Sequence, residues 1–116
     1  MLLEVVLDIF SGRPNPSWVL PHPLEAELVA RLEALRPAPA EDVPEPPGLG
    51  YRGFIVQSPL DSKFLAPVRV YRGIVQRASE KYVDPERQLE RWLLDTAGLS
   101  LEGNLEGMVR RELERS

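Results

Sequence analysis

Between Phe10 and Trp18 the chain reads Ser11-Gly12-Arg13-Pro14-Asn15-Pro16, and this hexapeptide holds residue types suited to gripping a negative group. Two prolines fix φ and remove backbone donors, so the polar groups on the segment lose little freedom on meeting a ligand. Arg13 offers a planar fork of donors matched to a carboxylate or phosphate. Ser11 and Asn15 add hydrogen-bonding groups, and Gly12 lets a ligand approach the main chain. The same residues also suit a purely structural role, a stiff hairpin connection in which Ser11 and Asn15 satisfy local backbone groups. Trp18 borders the segment as a candidate stacking platform, although an aromatic on a short apolar strand fits a core better.

Further cations come from an internal echo, Tyr51-Arg52-Gly53 and Tyr71-Arg72-Gly73. Eight residues of strand extend about 26 Å. If the two strands that these segments open were antiparallel neighbours, Arg52 and Arg72 would stand at opposite ends of the sheet. At most one of them would then join Arg13, and each otherwise reads as a solvated charge at a strand edge. His22, the sole histidine, lies between Pro21 and Pro23. It suits the approach to a helix better than a metal site, which draws on several ligands, or a general base. Glu4 and Asp8 share the face of the first strand turned away from Leu7, and are expected to pair with the basic middle of the chain.

That basic middle is visible in the charge pattern. Residues 1–50 carry three basic and eight acidic side chains; residues 51–81 carry six basic (Arg52, Lys63, Arg69, Arg72, Arg77, Lys81) and two acidic (Asp61, Glu80). Residues 82–116 return to five and eight. The 116 residues carry a net charge of −4 with an isoelectric point near 5.0, which speaks against a dedicated nucleic-acid binder. The absence of cysteine removes disulfides, thiol nucleophiles and thiolate metal sites. No phosphate loop, dinucleotide fingerprint, zinc-protease or calcium-loop pattern occurs, so no cofactor and no metal are expected. The N-terminus reaches Glu4 and Asp8 at once, without a basic lead or a long apolar run, so neither a signal peptide nor a membrane association is expected. The expected location is the cytoplasm.

The elements that must position these residues follow from periodicity. Leu3, Val5, Leu7 and Ile9 alternate, which predicts a strand over 3–10, and Ser17 to Leu20 a short return strand. Pro21-His22-Pro23 opens a helix whose apolar face is Leu24, Leu28, Val29, Leu32 and Leu35, closing at Arg36-Pro37. Residues 37–50, with five prolines and two glycines, read as an extended connector. Strands are predicted over Tyr51–Gln57 and Tyr71–Gln76, linked through Pro59 to Pro67. Asp84-Pro85 starts a second helix with Leu89, Trp92, Leu93 and Ala97 on its apolar side and Gly98 as its stop. A last helix, from Ser100 or Asn104 onward, carries Leu105, Met108, Val109 and Leu113.

The predicted fold is thus a single α+β domain over residues 1–116. It has a small antiparallel sheet of about four strands in the order β-β-α-β-β-α-α, with helices packed mainly on one face. The expected function is that of a small binding or accessory domain that docks a protein partner or a small anionic ligand at the Ser11–Pro16 loop. The ligand-binding residues would be Ser11, Gly12, Arg13, Asn15, Trp18, Arg52 and Arg72. Two alternatives come from other classes. One is a cofactor-independent enzyme holding a carboxylate or phosphate compound on Arg13, with Asp8, Tyr51 or His22 moving a proton. The other is a structural subunit that self-associates, as a homodimer, through an open strand edge or the last helix.

Overall fold

The computed structural model describes residues 3–10, 12, 14–39, 50–58, 67–78 and 80–114. The alternating segment near the N-terminus forms β1 (Glu4–Leu7) and returns as β2 (Ser17–Val19). Then follow α1 (His22–Glu33) and a two-residue strand, β3 (Arg36–Pro37). Four strands come next: β4 (Phe54–Gln57), β5 (Val68–Tyr71), β6 (Ile74–Arg77) and β7 (Glu80–Val83). The chain closes with α2 (Gln88–Asp95) and α3 (Gly103–Leu113).

The mixed α+β class is as expected, but the sheet is not. Among the described residues seven strands, not about four, pair antiparallel in the order β2-β1-β4-β5-β6-β7-β3. The second YRG segment, expected to be one strand over Tyr71–Gln76, is instead a hairpin. Tyr71 ends β5, Ile74 begins β6, and Arg72 (φ 51) and Gly73 (φ 80) form the turn. Both turn positions are left-handed, as a tight hairpin requires. Arginine is an uncommon occupant of such a position, which is why the reversal is hidden in the sequence. β7 reads Glu-Lys-Tyr-Val and lacks the apolar run of a strand, yet Val75 pairs with Tyr82 and Gln76 with Lys81. The start of the proline-rich connector is also paired: Arg36 lies opposite Val83 and Pro37 opposite Tyr82. A proline is tolerated there because β3 is an edge strand. Residues 40–49 of the connector lie outside the described residues.

Register sorts the side chains onto two faces. Val5, Leu7, Phe54, Val56, Val68, Val70 and Val75 point inward and are 0–1% exposed. Leu28 of α1, Leu89, Leu93 and Leu94 of α2, and Val109 and Leu113 of α3 join them in one core. Trp18 also belongs to it, edge-on to Phe54 with centroids 6.3 Å apart. Its indole N–H donates to Thr96 Oγ at 3.0 Å, tying β2 to the end of α2. Val6, Ile55, Arg69, Gln76 and Lys81 line the opposite, half-exposed face. Among the described residues no helix is long and apolar enough to cross a membrane.

Candidate functional site

The described residues between β1 and β2 are held by a knot of polar contacts around Asp8 and Asn15. Asn15 Oδ1 accepts from the backbone N–H groups of Ile9 (3.0 Å) and Phe10 (2.8 Å), while its amide nitrogen reaches Asp8 at 3.4 Å. Leu7 N–H donates to Pro16 carbonyl at 2.9 Å. The two prolines and the asparagine side chain therefore hold the corner jointly. Asn15 acts as the local brace that its residue type allows, with its carbonyl oxygen already engaged.

Asp8 is 7% exposed, and a buried carboxylate needs partners. It has two guanidinium groups: Arg52 at 2.9 Å on Oδ1 and Arg69 at 2.8 Å on Oδ2. Arg52 also donates to Phe10 carbonyl at 3.1 Å, and Arg69 to Arg52 carbonyl at 2.9 Å. Backbone bonds from Asp8 N–H to Gly53 carbonyl and from Arg52 N–H to Asp8 carbonyl complete the junction. The expected pairing of Asp8 with the basic middle of the chain is present. It also removes Arg52 from the pool of cations open to a ligand. Arg52 Nε is buried without a hydrogen-bond partner.

The two YRG segments lie at the same end of the sheet, not at opposite ends. β5 intervenes and reverses direction, so Phe54 pairs with Val70 and the rings of Tyr51 and Tyr71 lie 5.7 Å apart. Their arginines nevertheless diverge. Arg52 turns to Asp8, whereas Arg72 is exposed in the hairpin turn, 5.9 Å from the Tyr71 ring centroid. Of the expected ligand residues, Ser11 and Arg13 lie outside the described residues. Gly12 is exposed, with open space around its α-carbon. Trp18 is 7% exposed and part of the core, as its position on β2 suggested.

On the outer side of the corner runs a groove of about 250 Å³. Phe10, Pro14 and Pro16 form one wall; Leu101 and Leu105, from the approach to α3 and its first turn, form the other. Ser100 and Glu102 edge it with polar groups. The groove joins two segments that periodicity alone keeps apart, since the apolar spacing of the last helix puts Leu105 on its core side.

A second polar cluster is not apparent from the sequence motifs. Glu90 is fully buried on α2, where Arg87 grips it with Nε at 2.9 Å and Nη2 at 2.7 Å. Tyr51 donates its hydroxyl to the same carboxylate, and Arg87 also donates to Glu112 carbonyl at 3.1 Å. Burial first, and then the Glu90 charge, drives the Tyr51 phenol far above its ordinary pKa, so it stays a neutral donor. A usable signal exists, because Glu90 shares its helix face with Leu93, Leu94 and Ala97 at i+3, i+4 and i+7. Asp8, Tyr51 and His22 have no partner in common. Asp8 faces two arginines, Tyr51 faces Glu90, and His22 is exposed at the start of α1.

Asp84, 3% exposed, accepts from the N–H groups of Leu89 (2.8 Å) and Glu90 (3.0 Å) in the first turn of α2. Burial outweighs these bonds and raises its pKa above the usual carboxylate range. The folded state therefore binds this proton more tightly than the unfolded state does. The resulting stabilisation is greatest below the unfolded pKa and is lost as pH rises through the raised folded value. The stability advantage of the native chain over Asp84→Asn is accordingly expected to shrink as pH rises through that window. Urea titrations of both proteins at successive pH values check the sign, and an advantage that grows with pH would contradict it.

Comparison of the chain with protein families, curated proteins and solved structures found no match.

Proposed function

We propose that the domain is a non-catalytic binding module that docks a protein partner at the Ser11–Pro16 corner, by accepting an extended partner segment in the groove beside it. One observation carries this reading: the corner is cross-braced from within by Asn15, Asp8, Arg52 and Arg69 while its outer side presents apolar walls. A wall that is rigid before contact loses little entropy on binding, and a partner side chain entering between Phe10 and Leu105 would act as its anchor. The groove is open along its length, so a small molecule there would stay largely solvated. Arg52 already serves Asp8, which favours a protein segment over a small anion as the occupant.

Selecting peptides from a random display library against the native chain tests this reading. The selected peptides are expected to share an apolar anchor residue. Leu105→Glu should weaken their binding at least about tenfold, roughly 1.4 kcal/mol; because Leu105 also packs against the core, the variant is compared at a temperature where its circular dichroism shows it still folded. A selection that returns no binder, or binding that Leu105→Glu leaves intact, would overturn the proposal.

A further inference from the structure

A sheet of seven strands is wide, about 29 Å from first axis to last at 4.8 Å per step, whereas a helix with its side chains covers about 10 Å. Residues at and just beyond the end of α1 meet β5, β6 and β7. A cleft of about 230 Å³ opens there. Val68 and Val75 form its base, and Leu32 of α1 with Leu35 just beyond it forms one wall. Its remaining lining is Tyr82 of β7 and one charge of each sign, Glu33 from the last turn of α1 and Arg77 from the end of β6.

Among the described residues neither charge is held in an ion pair, although Glu80 lies opposite Arg77 in the β6–β7 register. Arg31, Arg52, Arg69, Arg87 and Arg110, by contrast, each hold a carboxylate. Register puts Arg77 opposite Val68, and therefore on the inward face. It lies near the Tyr82 hydroxyl, which donates to Glu80; that bond raises the phenol's pKa, and the Arg77 charge opposes the rise. The carbonyl end of α1 adds negative potential beside Glu33. An apolar base flanked by a separate guanidinium and carboxylate is complementary to a molecule with an apolar body, a carboxylate and an ammonium group.

We infer that this cleft binds a free α-amino acid with an apolar side chain of leucine or phenylalanine size. Arg77 takes the carboxylate in a forked contact, Glu33 takes the ammonium, and the side chain lies against Val68, Val75, Leu32 and Leu35. The size is consistent, since a cavity of about 150 Å³ accommodates benzene. The site lies between α1 and the sheet and involves none of the corner's residues, so it stands independently of the docking groove.

Titration of the methyl-labelled chain with L-leucine and L-phenylalanine, followed by NMR, tests the inference. The methyl signals of Val68, Val75, Leu32 and Leu35 are expected to shift and saturate. 4-Methylpentanoate, which lacks the ammonium, and 3-methylbutylamine, which lacks the carboxylate, should each bind at least tenfold more weakly. Arg77→Gln and Glu33→Gln are both at exposed positions and should each reduce amino-acid affinity at least tenfold with an unchanged melting temperature. Absent methyl shifts at millimolar amino acid, or affinity indifferent to both substitutions, would overturn the inference.

Discussion

Glu90→Ala is expected to destabilise the protein by about 3–5 kcal/mol, the range found when one partner of a buried ion pair is removed. Glu90 is 0% exposed and receives donors from both Arg87 and Tyr51. Without it the Arg87 guanidinium, 7% exposed at its side chain, stays buried with no carboxylate among the described residues, keeping only Glu112 carbonyl and the neighbouring Tyr51 hydroxyl, and the Tyr51 hydroxyl loses its acceptor. Domains of this kind are stable by about 5–15 kcal/mol in total, so the variant would be largely unfolded in moderate urea. Arg87 and Glu86 also hold left-handed backbone (φ 57 and 55), a conformation that costs an L-residue about 1–2 kcal/mol. The ion pair helps to offset that strain. Replacing Tyr51, Arg87 and Glu90 together by Phe, Met and Leu should recover much of the loss, because all three polar groups leave at once. Urea unfolding followed by tryptophan fluorescence measures both variants. A Glu90→Ala protein within about 1 kcal/mol of the native chain, the scale of an exposed ion pair, would refute the assignment of this cluster as a structural tie.

Gly53→Ala is the second large effect. A Cβ at this position would lie 2.3 Å from Val70 carbonyl oxygen and 2.8 Å from Tyr71 Cβ, at φ +96. The left-handed penalty of about 1–2 kcal/mol combines with overpacking of about 1–3 kcal/mol, so a loss of about 3 kcal/mol or more is expected. The damage should spread to the corner, because Gly53 carbonyl accepts the Asp8 N–H. Gly12→Ala is the control: nothing lies within 4 Å of the point its new methyl group would occupy, and a change within about 0.5 kcal/mol is expected, as for an ordinary surface substitution. Thermal melts of the two variants decide the matter; equal melting temperatures would show that the close approach at Gly53 is not a structural requirement.

The ends of the fold are legible in the sequence and its middle much less so. Leu3, Val5, Leu7 and Ile9 alternate and are all buried. Pro21-His22-Pro23 opens α1, and Gly98 follows α2 with the left-handed φ of +53 that such a stop requires. The middle resists reading because its strands are four residues long and the first turn positions after β5 and β6 carry arginine and alanine. Arg72 and Ala78 both take positive φ, where glycine or asparagine would have announced a reversal. Asp84-Pro85 predicts the opening of the second helix, but α2 begins at Gln88, because Glu86 and Arg87 hold left-handed backbone. Asp84 still satisfies the N–H groups of Leu89 and Glu90 in the first turn of α2.

For the site, local chemistry is readable and partner choice is not. The stiffness of the corner follows from Pro14, Asn15 and Pro16, and the pairing of Asp8 from the charge imbalance along the chain. That Arg52 and Arg69 are the residues engaged depends on β1 and β4 being neighbours and β5 lying next to β4, which no local pattern encodes. The other wall of the groove, Leu101 and Leu105, enters from the far end of the sequence through the packing of α3.

The most direct measurement of the docking proposal is an amide-shift map of the isotopically labelled chain titrated with a selected peptide. The expected result is a contiguous set of shifts over Phe10, Gly12, Asn15 and residues 100–105, with Gln76 and Lys81 on the opposite face of the sheet unmoved. Shifts centred on that opposite face, with the corner amides unchanged, would contradict it.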